Sequence, residues 1–127
     1  MSEPFIAAQA GLRRPTAENE RLTRERCYIH TLVGRGEPGA VSIALARVPP
    51  GVTTELHRLR GTDERYLVIS GRGRMVVGEA EMEIGPKDVV LIPADVAQCV
   101  ECLGPEDLEF YCVCSPPFTP ECYEALE

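Results

Sequence analysis

The feature that most constrains this chain is its punctuation. From Tyr28 onward, short stretches rich in Val, Ile, Leu and Tyr are interrupted about every eight to twelve residues by Gly, Pro and Asp. Glycine supplies positive φ and proline a fixed φ, so segments 34–39, 49–51, 61–63, 71–73, 85–88, 93–95 and 104–107 read as turns. The stretches between them predict strands at 28–33, 41–48, 55–59, 64–70, 74–77, 80–84, 89–92, 98–102 and 108–114. That rhythm implies an all-β sandwich or barrel. A helical turn is expected only at 120–127. Residues 1–26 are polar, broken by Pro4 and Pro15 and without a sustained period, so they read as an irregular arm carrying little chemistry.

A chain of 127 residues is long enough to bury one core and too short for two, so a single domain over 1–127 is expected, with the barrel at 41–114. With 44% apolar residues, 26% charged residues and a formal charge of −7, the composition is that of an ordinary globular protein. Its acidity argues against a nucleic-acid partner. Arg13, Arg14, Arg21, Arg24 and Arg26 alternate with Glu18, Glu20 and Glu25, which describes a solvated face and not a phosphate-binding stripe. The opening residues contain no apolar run suited to a signal segment or membrane span, so a cytoplasmic location without a membrane partner is expected. The six cysteines are then expected as free thiols. Cys99 and Cys102 form a C-x-x-C, but residues three apart on a strand point to opposite faces, which argues against a zinc knuckle.

Strand periodicity assigns some faces. On 108–114, Leu108, Phe110, Cys112 and Cys114 form the apolar set and are expected to face inward, bringing the two cysteines to any interior pocket. On 64–70, Glu64, Tyr66 and Val68 share one face. Leu67 and Ile69 make the other face apolar too, so cover is expected on both sides, and a homodimer is one way to supply it. His30 has no motif around it and reads as a surface or interface histidine.

The most informative stretch, PPGVTTELHRLRGTDERYLVISG, runs from Pro49 to Gly71. It resembles the first cupin motif: Gly51 precedes His57 at the family spacing, Glu64 follows at the family distance, and Gly71 closes the motif. Leu59 stands where the family has its second histidine. A second stretch, GPKDVVLIPADVAQCVEC, is similar to the second cupin motif through Asp88 and Pro93. There Lys87 and Asp95 replace glycines, Gln98 replaces the histidine and Cys102 replaces the asparagine. The resemblance implies a double-stranded β-helix, or jelly-roll barrel, holding a divalent metal inside. Carried over by position, the implied ligands are His57, Glu64 and Gln98.

The residues themselves leave several readings open. A neutral imidazole and a carboxylate suit zinc, iron, manganese or nickel, whereas a glutamine adds only a neutral amide oxygen. Leu59, Tyr66, Cys112 and Cys114 are expected to line the pocket against a small organic molecule. The functional alternatives are a metal-dependent enzyme, a metal-free one using His57 and Glu64 as an acid-base pair, and a non-catalytic binding module that has lost its metal. A structural, oligomerising domain is a further reading, resting on the two-sided apolar strand.

Overall fold

The computed structural model describes residues 10–37 and 39–127. The first nine residues of the expected arm, and Pro38 in the 34–39 turn, lie outside the described residues. The strands in chain order are β1 (Arg21–Leu22), β2 (Tyr28–Val33), β3 (Ser42–Val48), β4 (His57–Leu59), β5 (Asp63–Ser70), β6 (Gly73–Val77), β7 (Ala80–Ile84), β8 (Val89–Ile92), β9 (Gln98–Cys102), β10 (Leu108–Ser115) and β11 (Tyr123–Ala125). They form a six-stranded sheet in the order β1-β2-β3-β10-β5-β8 and a five-stranded sheet in the order β11-β4-β9-β6-β7. Neighbours distant in sequence, such as β3 beside β10 and β4 beside β9, give the jelly-roll crossing of the chain between two facing sheets.

The expected strands are all present, with ends shifted by a residue or two. β4 starts at His57 and not at residue 55. Two further elements depart from expectation. Part of the arm is a strand, β1, paired with β2. The C-terminal segment expected to be a helical turn is instead a short 3-10 turn, Pro120–Cys122, followed by β11, which pairs with β4 through Tyr123↔Leu59 and Ala125↔His57. A strand of three residues is too short to display a period.

Both sheets turn apolar faces inward. Phe110, Met75, Leu108, Val48, Val100 and Cys102 are fully buried and fill the space between the sheets at one end. The motif turns explain why this packing needs glycine at one position and departs from it at others. A Cβ on Gly71, at φ +86°, would fall onto the carbonyl oxygen of Asp107 and lie 2.8 Å from Leu108 Cα, so a side chain there cannot be accommodated. Lys87 (φ 76°) and Asp95 (φ 73°), which stand in place of family glycines, keep the left-handed conformation that those glycines would adopt freely.

The outer face of the six-stranded sheet is treated unequally. Over β2 and β3 the arm lies against it: Arg47 forms a two-pronged pair with Glu20 and sits 4.2 Å above the Tyr28 ring, and the amide of Thr16 donates to His30 Nδ1. His30 is therefore buried between the arm and the sheet, so of the two expectations for it, surface or interface, the surface one fails. Over β5 and β8, Leu67, Ile69, Val89 and Leu91 are exposed, so nothing among the described residues supplies the second cover expected for β5.

Candidate functional site

At the end of the interior opposite the filled core lies a cavity of about 470 Å³. Its walls are mostly apolar: Ile29, Ile43, Ala44, Ala46, Leu59, Phe110 and Phe118 line it, with Cys27, Cys112 and Cys114. The polar side chains that line it include His57, Glu64 and Glu25. Such a combination, apolar walls with a few converging polar groups, is what small-molecule sites are made of.

His57 is positioned by its own backbone neighbourhood. Only 2% of it is exposed, and Nδ1 lies 2.7 Å from the carbonyl oxygen of Glu55. A carbonyl can only accept, so Nδ1 carries hydrogen, and Nε2 is left without a protein partner among the described residues. The ring stacks on Tyr123 at 4.7 Å between centroids, with 16° between planes. The hydroxyl of Tyr123 donates to Glu55 at 2.6 Å, and Arg24 clamps the same carboxylate with two bonds. Glu55, Arg24 and Tyr123 thus form a brace behind the imidazole, and it is β11 that delivers Tyr123. Both Glu55 and Tyr123 escaped sequence reading because their roles depend on a strand invisible to periodicity.

Glu64 sits on the inward face of β5, between Ile92 on β8 and Cys114 on β10. One carboxyl oxygen accepts from Gln98 Nε2 at 2.9 Å, and the other accepts from the Cys114 thiol at 3.7 Å. Burial pushes its carboxyl above the ordinary value, against the opposing pull of these hydrogen bonds. Gln98 itself does not line the cavity. Its Oε1 accepts from the Tyr66 hydroxyl at 2.9 Å, completing a chain Tyr66, Gln98, Glu64 beneath the floor. The Tyr66 ring, stacked on Phe110 at 4.0 Å, faces the cavity, but its hydroxyl is committed to Gln98 and not free for a ligand.

Cys112 and Cys114 line the cavity as expected from strand alternation, and Leu59 lines it as expected from its place in the motif. Burial raises the Cys112 and Cys114 thiols above their ordinary value and pushes Cys27 up to about 12, so these are protonated, weakly polar walls and not nucleophiles. Cys102 of the C-x-x-C donates to the carbonyl of Glu106, and Cys99 is half-buried.

The residue that sequence reading missed is Glu25. It belongs to the turn joining β1 to β2, in the segment where no chemistry was expected. Thr23 closes that turn onto Cys27, Arg26 takes φ 73°, and the Glu25 carbonyl accepts from the amide of Glu55. Arg24 reaches Glu55 and Arg26 reaches Glu127, so the flanking side chains are held outside while Glu25 enters the cavity. Desolvation raises its carboxyl; nearby His57 opposes that rise, and Glu64 and Glu55 add to it. No local sequence signal marks this inward turn.

The donor set can be tested against the implied metal. Leu59 offers no donor, and the Gln98 amide is engaged with both Tyr66 and Glu64. Among the described residues no group of three His, Cys, Asp or Glu side chains is placed to hold a metal ion. As posed, these residues do not fit a three-ligand cation centre; a glutamine-centred hydrogen-bond chain stands in that place.

Comparison with known proteins agrees with the fold. The family described as Cupin domain matches residues 44–114, more than half of the chain, so this chain belongs to the cupin family. An uncharacterized protein of Methanocaldococcus jannaschii is 34% identical over 86 residues, covering 68% of this chain and 69% of that one. Another, from Streptomyces coelicolor, is 33% identical over 100 residues, covering 79% and 90%. The crystal structure of a cupin 2 conserved barrel domain protein from Salinispora arenicola superposes with a TM-score of 0.72 at 23% identity, over 84% of this chain and 90% of that one. No helix among the described residues is long and apolar enough to cross a membrane.

Proposed function

We propose that this cupin binds a small, largely apolar organic molecule in the interior cavity, with His57 and Glu64 presented to its polar group. The observation that carries this reading is the contrast between apolar walls and the buried Nε2 of His57, which has no protein partner among the described residues. A base fixed by Glu55 and a carboxyl biased toward its protonated form are also the pair that a proton transfer on a bound molecule requires.

Screening a library of small organic molecules by protein-observed NMR tests this. Shifts are expected at Ile29, Ile43 and Ala44 and not on the outer sheet face, and Ala44→Phe, which fills the cavity, should abolish them. Shifts that survive Ala44→Phe contradict the reading.

A divalent ion is the second reading, favoured by one fact: the two motif residues His57 and Glu64 line the same cavity. It requires Gln98 to release Tyr66 and Glu64. Restoring the family imidazole with Leu59→His should raise metal affinity strongly if the other ligands are already posed, and leave it unchanged if they are not.

For the bare patch of Leu67, Ile69, Val89 and Leu91 we propose a second copy of the chain as cover, which supports a homodimer. β8 is a sheet edge, so its backbone is also free to pair. Light scattering that gives the monomer mass at high concentration overturns this.

A further inference from the structure

The hydrogen-bonding character of the cavity is lopsided. Three of its hydroxyl donors are spent within the protein, that of Tyr66 on Gln98, that of Thr54 on the Val100 carbonyl and that of Thr23 on the Cys27 carbonyl, while Thr31 and Ser42 also stand at the wall. Its acceptors are less engaged. Nε2 of His57 is unengaged, and Glu25 receives on one oxygen a single long contact, 3.9 Å from the Cys27 thiol. Glu64 accepts one bond per oxygen, which leaves lone pairs on both.

Charge points the same way. Arg35 is the single Lys or Arg among the described residues that line the cavity, and it is an exposed side chain paired with Glu121. Two carboxyl groups and one imidazole therefore line an apolar space into which no unpaired Lys or Arg among the described residues reaches. A ligand anion would meet two carboxyl groups there and no Lys or Arg free to pair with it.

We propose, resting on the small-molecule reading above, that the ligand is a small organic amine, held as its ammonium ion by Glu25, Glu64 and His57. An ammonium brings several N–H donors to acceptors that lack them, and its charge offsets the cost of burying carboxylates in an apolar cavity. The apolar walls then take the carbon skeleton. Glu25 sets the specificity because it is the carboxylate least engaged with the protein, and its turn is fixed by Arg24 and Arg26 on either side.

Three probes sharing one ring decide the matter: phenethylamine, phenethyl alcohol and phenylacetate, titrated by ligand-observed NMR. The amine is expected to bind about tenfold or more tighter than the alcohol, with phenylacetate weakest, as a charge-assisted hydrogen bond replaces a neutral one. Glu25→Gln, a near-isosteric change, should remove that advantage by weakening the amine far more than the alcohol, and circular dichroism melting of the variant checks that the fold persists. Equal or tighter binding of the alcohol or acid, or an amine affinity untouched by Glu25→Gln, overturns the amine proposal. If the alcohol binds without preference and Ala44→Phe abolishes it, the cavity reading stands and the amine proposal alone fails. If none of the probes binds, both fail.

Discussion

The two ends of the interior are built from the same strands and do opposite things. β10 contributes Leu108 to a filled core at one end and Cys112 and Cys114 to an open cavity at the other, with Phe110 between them belonging to both. β5 runs from Glu64 to Val68, and β9 from Gln98 to Val100 and Cys102, in the same direction of change. β10 keeps one inward parity from Leu108 to Cys114, although its register with β5 shifts between Glu109 and Phe110. What changes is whether opposing side chains reach one another. Where they do, the sheets hold together by apolar contact; where they do not, polar groups are braced from behind, and space remains for something else.

If that division is right, truncation at the filled end should affect stability most. Met75→Ala removes a fully buried side chain that lines no part of the cavity, and about 2–5 kcal/mol of unfolding free energy should be lost, measured by chemical denaturation. A loss near zero would mean that the two ends are equally open.

Gln98→Leu keeps volume and removes the amide that joins Tyr66 to Glu64. A buried hydroxyl and a carboxyl oxygen lose their partner, with an expected cost of about 1–3 kcal/mol in the same measurement. A neutral or stabilising result would show that the floor is core in polar disguise.

The smallest effect is expected as a pH dependence. Glu25 has its carboxyl raised above the ordinary 4.5, chiefly by desolvation, so the folded state holds a proton that the unfolded chain has released. Its contribution is therefore fully present below the unfolded value and lost as pH rises from there through the folded value. Glu25→Gln should remove this loss, making the variant more stable than the parent near neutrality and indistinguishable at pH below 4.5. Parallel curves would place Glu25 in water and out of the cavity.

The filled end was the more legible half. Alternation on β5 and β10, and turns at nearly every break, give the strands and their inward faces, and the spacing of Gly51, His57, Glu64 and Gly71 gives the family. The site was legible where a strand period carries it, as for Glu64, Tyr66, Cys112 and Cys114, or where the motif spacing does, as for Leu59. It was not where a side chain is aimed by distant contacts. Glu25 enters through a turn held by Arg24 and Arg26 on partners far along the chain, and Tyr123 reaches His57 on a three-residue strand. Gln98 was placed among ligands by its motif position, while its amide geometry depends on two residues more than thirty positions away.

The most direct measurement is elemental analysis of protein purified without chelator, joined to calorimetric titration with zinc and manganese. With Tyr66, Gln98 and Glu64 satisfying one another, the parent is expected to carry no stoichiometric ion and to gain none at micromolar supply. One equivalent of metal, abolished by His57→Ala, would contradict the account and make the open end a metal centre after all.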